Sequence, residues 1–166
     1  MAIDPLAIDM VLRMAVHGIG HAEVACHFGV EVLGVAMVLH GPDGGFTSMP
    51  IYEPAKILPV QEICTICAAG SAGEALVYGG YGQLGASGNR LDVEGYDREA
   101  DYDLLVDEAK KILLSRRASF DRLARMLKWK LLCSNDELTM ELLPVGKMGA
   151  FVLNQSDLAL RNGIVE

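Results

Sequence analysis

His17-Gly18-Ile19-Gly20-His21, set within residues 10–28, decides how the rest of the chain is read. Two histidines four apart in a helix stand on one face, one turn from each other, and can close on one metal ion. The plainer alternative is a pair of surface or capped histidines with no shared task, so the surrounding sequence has to separate the two. Gly18 and Gly20 sharpen the question, because each costs a helix roughly 1 kcal/mol against Ala. Thinness at that point serves either close packing against another element or room around a metal or a peptide.

Outward from this stretch, Asp4-Pro5 makes a good helix start: Asp can accept from free backbone N–H groups, and Pro at the first helical position lacks a donor that would go unused there. The helix continues over residues 7–27, with Gly29 as its stop. Residues 30–39 are apolar and rich in β-branched side chains, which suits a buried strand, and the glycine- and proline-bearing residues 41–45 read as a turn. Residues 46–51 then read as a short edge strand closing a hairpin. An extended polypeptide can add itself to such an edge by backbone hydrogen bonds, although a hairpin that only covers the core has the same sequence pattern.

Residues 59–78 read as a buried helix, since Ile63, Ile66, Cys67, Gly70, Glu74 and Val77 recur at helical spacing. Residues 79–88 read as a loop. Gly80-x-Gly82-x-x-Gly85 within it matches a dinucleotide-binding glycine pattern but follows a helix and not a strand, so it carries no such function. From about residue 96 the chain is expected to be helical, with Ala100, Leu104, Ala109, Ile112 and Leu113 on one side. A second amphipathic helix follows over residues 120–132, with Leu123, Met126 and Leu127 as its buried stripe. Ser134 or Asn135 can cap a short helix that runs through Leu143 and ends at Pro144. Beyond residue 145 no period is evident, and that tail is expected to pack loosely or extend. The expected fold class is mostly α (α+β): one domain over residues 1–166, with a helical core at about 10–143, a small β-hairpin or sheet after the first helix, and a tail over 144–166.

Composition excludes some partners. A chain of 166 residues can bury a core without staples, and a formal charge of −8 disfavours nucleic acid or an anionic membrane surface as the main partner. No uncharged apolar run approaches the ~20 residues needed to span a bilayer, and no basic segment followed by an apolar core opens the sequence. The expectation is a cytoplasmic protein. Its four cysteines, Cys26, Cys64, Cys67 and Cys133, make no dense framework, so free and mostly buried thiols are expected. Cys64-x-x-Cys67 lies within a helical stretch, without the second pair that a zinc site would need or the strand-to-helix turn of a redox site.

The histidine spacing is that of the zinc-peptidase motif H-E-x-x-H, in which the Glu after the first His takes a proton from the metal-bound water. Here that position is Gly18. The wider order of motifs resembles the peptidase domain of the FtsH family of ATP-dependent zinc metalloproteases. It comprises His17-Gly-Ile-Gly-His21-Ala, the glycine turn with Gly45-Phe-Thr, Gly70-Ser-Ala-Gly-Glu74-Ala-Leu-Val-Tyr-Gly79, Gly85-Ala-Ser and an acidic helix start. A closing helical hairpin follows, carrying Ala109-Lys-Lys-Ile-Leu, Arg117, Leu123-Ala124 and Asp136-Glu137-Leu138. The resemblance spans roughly residues 10–143 and rests on order more than on any one motif.

That resemblance implies a helical zinc-peptidase fold in which His17, His21 and an Asp from a later helix hold Zn²⁺. It also implies that Glu74 orients a ligating His by a hydrogen bond; a helix-end charge reaching water is the alternative for Glu74. For the Asp ligand, Asp97 fits best because Arg98-Glu99-Ala100 and a helix follow it, with Asp92 and Asp101 as alternatives. Two departures from the family bear on activity. Gly18 removes a base that typically supplies ~10²- to 10⁴-fold in rate, and Glu23 sits on another face of the helix and cannot replace it. No G-x-x-x-x-G-K-[ST] phosphate loop or membrane anchor is present, so an ATPase motor would come from another chain. The implied function is a zinc metallopeptidase-like domain, weak or inactive, acting on a polypeptide substrate or protein partner. The alternative is a non-catalytic metal-binding or regulatory module on the same fold. Either leaves homo-oligomerisation open.

Overall fold

The structure is a computed structural model that describes residues 5–39, 46–52, 57–133, 141–143 and 148–153. The described residues are mostly helical, as the hydrophobic pattern leads one to expect. Their order is α1 (Pro5–His27), β1 (Val32–Leu39), β2 (Phe46–Tyr52), α2 (Val60–Tyr78), α3 (Gln83–Tyr96), α4 (Tyr102–Ser115), α5 (Arg117–Cys133), β3 (Glu141–Leu143) and β4 (Met148–Leu153). No helix among the described residues is long and apolar enough to cross a membrane.

α1 is the central element. Residues 15–25 are all buried, because the helix is wrapped by α2, α4, α5 and the first two strands. A helix enclosed on every side has no reason to show a single apolar stripe. It stops at Gly29, whose φ of 75° places it in the left-handed region, and the N–H groups of Gly29 and Val30 donate to the carbonyls of Cys26 and Ala25.

α2 crosses α1 through small residues. A Cβ on Gly20 would fall 2.4 Å from the Ala69 carbonyl oxygen, and one on Gly73 would fall 3.0 Å from the Val16 carbonyl oxygen. Backbone-to-backbone approach therefore accounts for the thinness at Gly20. Ala68, Ala69 and Ala72 fill the same contact, fully buried, and α2 ends on Gly79 in the left-handed region, its N–H donating to the Ala75 carbonyl at 3.0 Å.

Two helical boundaries differ from expectation. Only residues 79–82 connect α2 to α3, so Gly85 and Gly88 are helical and not part of a loop. At Gly85 tertiary packing overrides the low propensity: a Cβ there would lie 3.1 Å from Glu74 Oε1 and 3.2 Å from the His17 ring, whereas one on Gly88 would meet nothing within 4 Å. The chain also breaks at residues 97–101, where a continuous helix beginning near Tyr96 was expected. There Asp97 terminates α3 in an extended conformation, and the Asp101 carboxylate caps α4, accepting from the N–H groups of Asp103 and Leu104. Leu105, Val106, Ala109 and Leu113 of α4 meet Phe120 and Leu123 of α5 in the core.

The strands form one sheet in the order β2-β1-β4-β3. β1 pairs antiparallel with β2, Met37 opposite Ser48, and its register shifts between Val32 and Gly34. Residues 40–45, expected as the turn between them, lie outside the described residues. On its other side β1 pairs with β4, Val35 opposite Leu153. The short helix expected through Leu143 is not what residues 141–143 form: they pair as β3 with β4, while residues 134–140 and Pro144 lie outside the described residues. The expected tail contributes β4, because the apolar run Met148–Leu153 finds a free edge on β1.

Candidate functional site

α1 presents His17 and His21, both buried, with ring centroids 4.8 Å apart in an edge-to-face arrangement. Each ring is fixed through its Nδ1 by α2. His17 Nδ1 lies 2.7 Å from Glu74 Oε1, and His21 Nδ1 lies 2.6 Å from the carbonyl oxygen of Ile66. A carbonyl only accepts, so the proton of His21 sits on Nδ1. Burial holds the His21 pKa down to about 3, with nearby His17 adding to that effect and the Ile66 carbonyl opposing it. The ring is therefore neutral around pH 7, and its Nε2 carries a bare lone pair.

Glu74 is fully buried, which excludes a helix-end charge reaching water. Its Oε2 accepts from Gly82 N–H at 2.9 Å and from Arg13 Nη1 at 3.3 Å, while Oε1 faces His17. Three donors compensate the buried carboxylate. Arg13 also stacks over the Tyr78 ring at 4.5 Å. Gly70 lets His17 lie flat on α2, since a Cβ there would fall 2.3 Å from His17 Nε2.

Opposite the two rings stands Asn89 of α3. Its Nδ2 is 2.9 Å from His17 Nε2 and 3.3 Å from His21 Nε2. Asn89 also shares a side-chain hydrogen bond with Tyr102, whose hydroxyl lies 2.9 Å from Ser71 Oγ. Burial pushes the Tyr102 phenol up, against the opposing hydrogen bonds from Ser71 and Asn89. Arg90, the next residue, covers the Tyr102 ring at 4.4 Å and donates to Tyr81 Oη.

The place that the sequence assigns to an aspartate is thus taken by an amide. Asp97 lies at the end of α3 with its Oδ1 accepting from Glu99 N–H, and Asp101 is spent on capping α4. Asp92 is an exposed residue of α3. Among the described residues no third His, Cys, Asp or Glu joins His17 and His21 in a group able to hold a metal ion. Gly18 is buried in α1 and contributes no functional group. Glu23 faces away from the pair: it is fully buried, with Oε2 accepting from Arg116 Nε at 2.7 Å and Oε1 from Ser119 Oγ at 2.9 Å.

Zinc at a hydrolytic centre takes three protein ligands and keeps one position for water. His17 and His21 have the orientation of two such ligands, Nδ1 engaged and Nε2 atoms converging. The third side chain turns N–H donors toward that point, and donors do not ligate. As arranged, these residues do not complete a zinc site.

The thiols form no alternative centre. Among the described residues, Cys26, Cys64 and Cys67 are not joined in disulfides. Burial, aided by Asp92 and Cys64, pushes the Cys67 thiol up to about 12, and burial with Asp97 raises Cys64, so neither is a ready thiolate.

Asn89 is the residue that the sequence reading missed. Its signal is spacing: Gly85, which touches His17, and Asn89 are four apart, on one face of a helix once residues 83–96 are read as helical. Neither the known family models nor the curated proteins give a match to this chain.

Proposed function

We propose that this chain is a non-catalytic binding module built on a helical fold of the FtsH-peptidase type, acting on a polypeptide partner without cleaving it. The observation that carries this reading is Asn89 Nδ2 set 2.9 and 3.3 Å from the two histidine Nε2 atoms, where a hydrolytic centre would need a metal and its water. Gly18 supports it from the other side. Even with a metal in place, no carboxylate adjoins His17 in α1 to take a proton from water and return it to a leaving amine. Partner binding draws support from β2, which forms one edge of the described sheet beside α1 and can be extended by another chain's backbone.

A weak zinc metallopeptidase is the second reading. It is favoured by one feature: the Nδ1 atoms of both histidines are pinned, by Glu74 and by the Ile66 carbonyl, as the ligands of a catalytic metal commonly are.

The test is cleavage of an unfolded protein such as casein by the purified chain at excess Zn²⁺, with a His21→Ala variant and a chelator as controls. The non-catalytic reading expects no cleavage above the variant's background. Chelator-sensitive cleavage that disappears in His21→Ala would establish the peptidase reading in its place.

A further inference from the structure

The amide of Asn89 meets an unusual demand. Two imidazoles, each with Nδ1 engaged, turn their Nε2 atoms to one point inside the protein. Two buried acceptors facing each other need a donor between them, because a buried acceptor left unpaired loses its bond to water with nothing in return. A metal ion answers that need with empty orbitals. A primary amide answers it with hydrogen atoms, having two N–H donors on one nitrogen, and Nδ2 of Asn89 lies within hydrogen-bond distance of both acceptors.

The amide orientation follows from the same constraint. Turned the other way, Asn89 would set its carbonyl oxygen against two lone pairs and leave both N–H groups without those partners. The Asn89 hydrogen bond to Tyr102 lowers the phenol against the effect of burial, which is the direction of an N–H donated to the hydroxyl oxygen, so the amide nitrogen faces three acceptors. Ser71 of α2 holds the Tyr102 hydroxyl from behind at 2.9 Å. The side chain is therefore held through its amide nitrogen, and α3, which packs on α2, gains through it a polar link to α1.

We infer that the Asn89 amide is a built-in replacement for a metal ion: its nitrogen bridges His17 and His21 as a shared hydrogen-bond donor, makes the fold metal-independent, and is one substitution from a divalent-metal site. Asn89→Asp exchanges the donor for an acceptor of nearly the same shape. Two imidazole nitrogens and a carboxylate oxygen would then converge with nothing to bind but a cation. This is a statement about what closes the histidine pair, and it holds whether or not the chain engages a polypeptide.

The experiment compares wild type, Asn89→Asp and the double variant Asn89→Asp/His21→Ala, each freed of metal and titrated with Zn²⁺ in competition with a chromophoric chelator. Thermal unfolding is followed with and without EDTA. Asn89→Asp is expected to bind one Zn²⁺ more tightly than wild type by at least the ~10- to 100-fold that even an outer partner of a metal ligand is worth. That gain should vanish in the double variant. Metal-free Asn89→Asp is expected to unfold below wild type and to be raised by Zn²⁺, while EDTA leaves the wild-type transition where it was. Should the variant fail to fold without metal, the wild-type arms still decide. Stoichiometric zinc in wild type, or a wild-type transition lowered by EDTA, would overturn the inference, as would equal zinc affinity in wild type and Asn89→Asp.

Discussion

At Gly70 a single methyl group would decide where His17 can lie, since it would fall 2.3 Å from Nε2, 2.4 Å from Cδ2 and 2.5 Å from Cε1. The ring has little room to yield, being held by Glu74 on one side and Asn89 on the other. Gly70→Ala is therefore expected to destabilise despite the better helix propensity of Ala. Overpacking of this kind costs ~1–3 kcal/mol, which for a chain of this size lowers Tm by roughly 2–12 °C. A thermal unfolding curve unchanged from wild type would show that the ring can move aside. At this scale the sequence was informative where chemistry and spacing coincide: His17, His21 and Glu74 stand out by residue type and order. Asn89 did not, because an asparagine in a glycine-rich stretch reads as a turn former, and its role depends on two lone pairs supplied by another helix. Asp97 stood out for its charge, yet its carboxylate serves a local turn.

Among elements, a buried polar tie away from the histidines joins α1 to the start of α5. Glu23 is fully buried and accepts from Arg116, in the break between α4 and α5, and from Ser119 of α5. Removing the guanidinium with Arg116→Met takes a charged donor from a buried carboxylate that keeps Ser119, which costs up to ~3–5 kcal/mol in comparable pairs, whereas replacing both members by apolar side chains is often close to neutral. Denaturant unfolding of Arg116→Met, Glu23→Met and the double variant is expected to show the double variant clearly less destabilised than the sum of the singles. Additive losses would mean that the pair is not coupled. Element boundaries were legible where local chemistry sets them, as at Pro5, Gly29 and Gly79. They were not legible where packing sets them. Gly85 is tolerated within α3 because Glu74 and His17 approach it closely, and residues 148–153 become a strand only because β1 offers an edge. Neither partner is near in sequence.

For the whole molecule, the proposal is of a metal-independent scaffold in an arrangement that looks, from sequence, like half of a zinc centre. α1 brings the two histidines, α2 fixes their outer nitrogens and packs closely on them through small residues, and α3 closes their inner nitrogens with an amide. The measurement that tests this most directly is long-range ¹H–¹⁵N correlation NMR of the histidine rings in metal-free wild-type protein, repeated after adding excess Zn²⁺. His17 and His21 are both expected to carry their proton on Nδ1, with Nε2 bare and accepting a hydrogen bond, and these four nitrogen signals are expected to stay in place when zinc is added. A zinc-dependent shift of both Nε2 signals, or a ring protonated on Nε2, would contradict it.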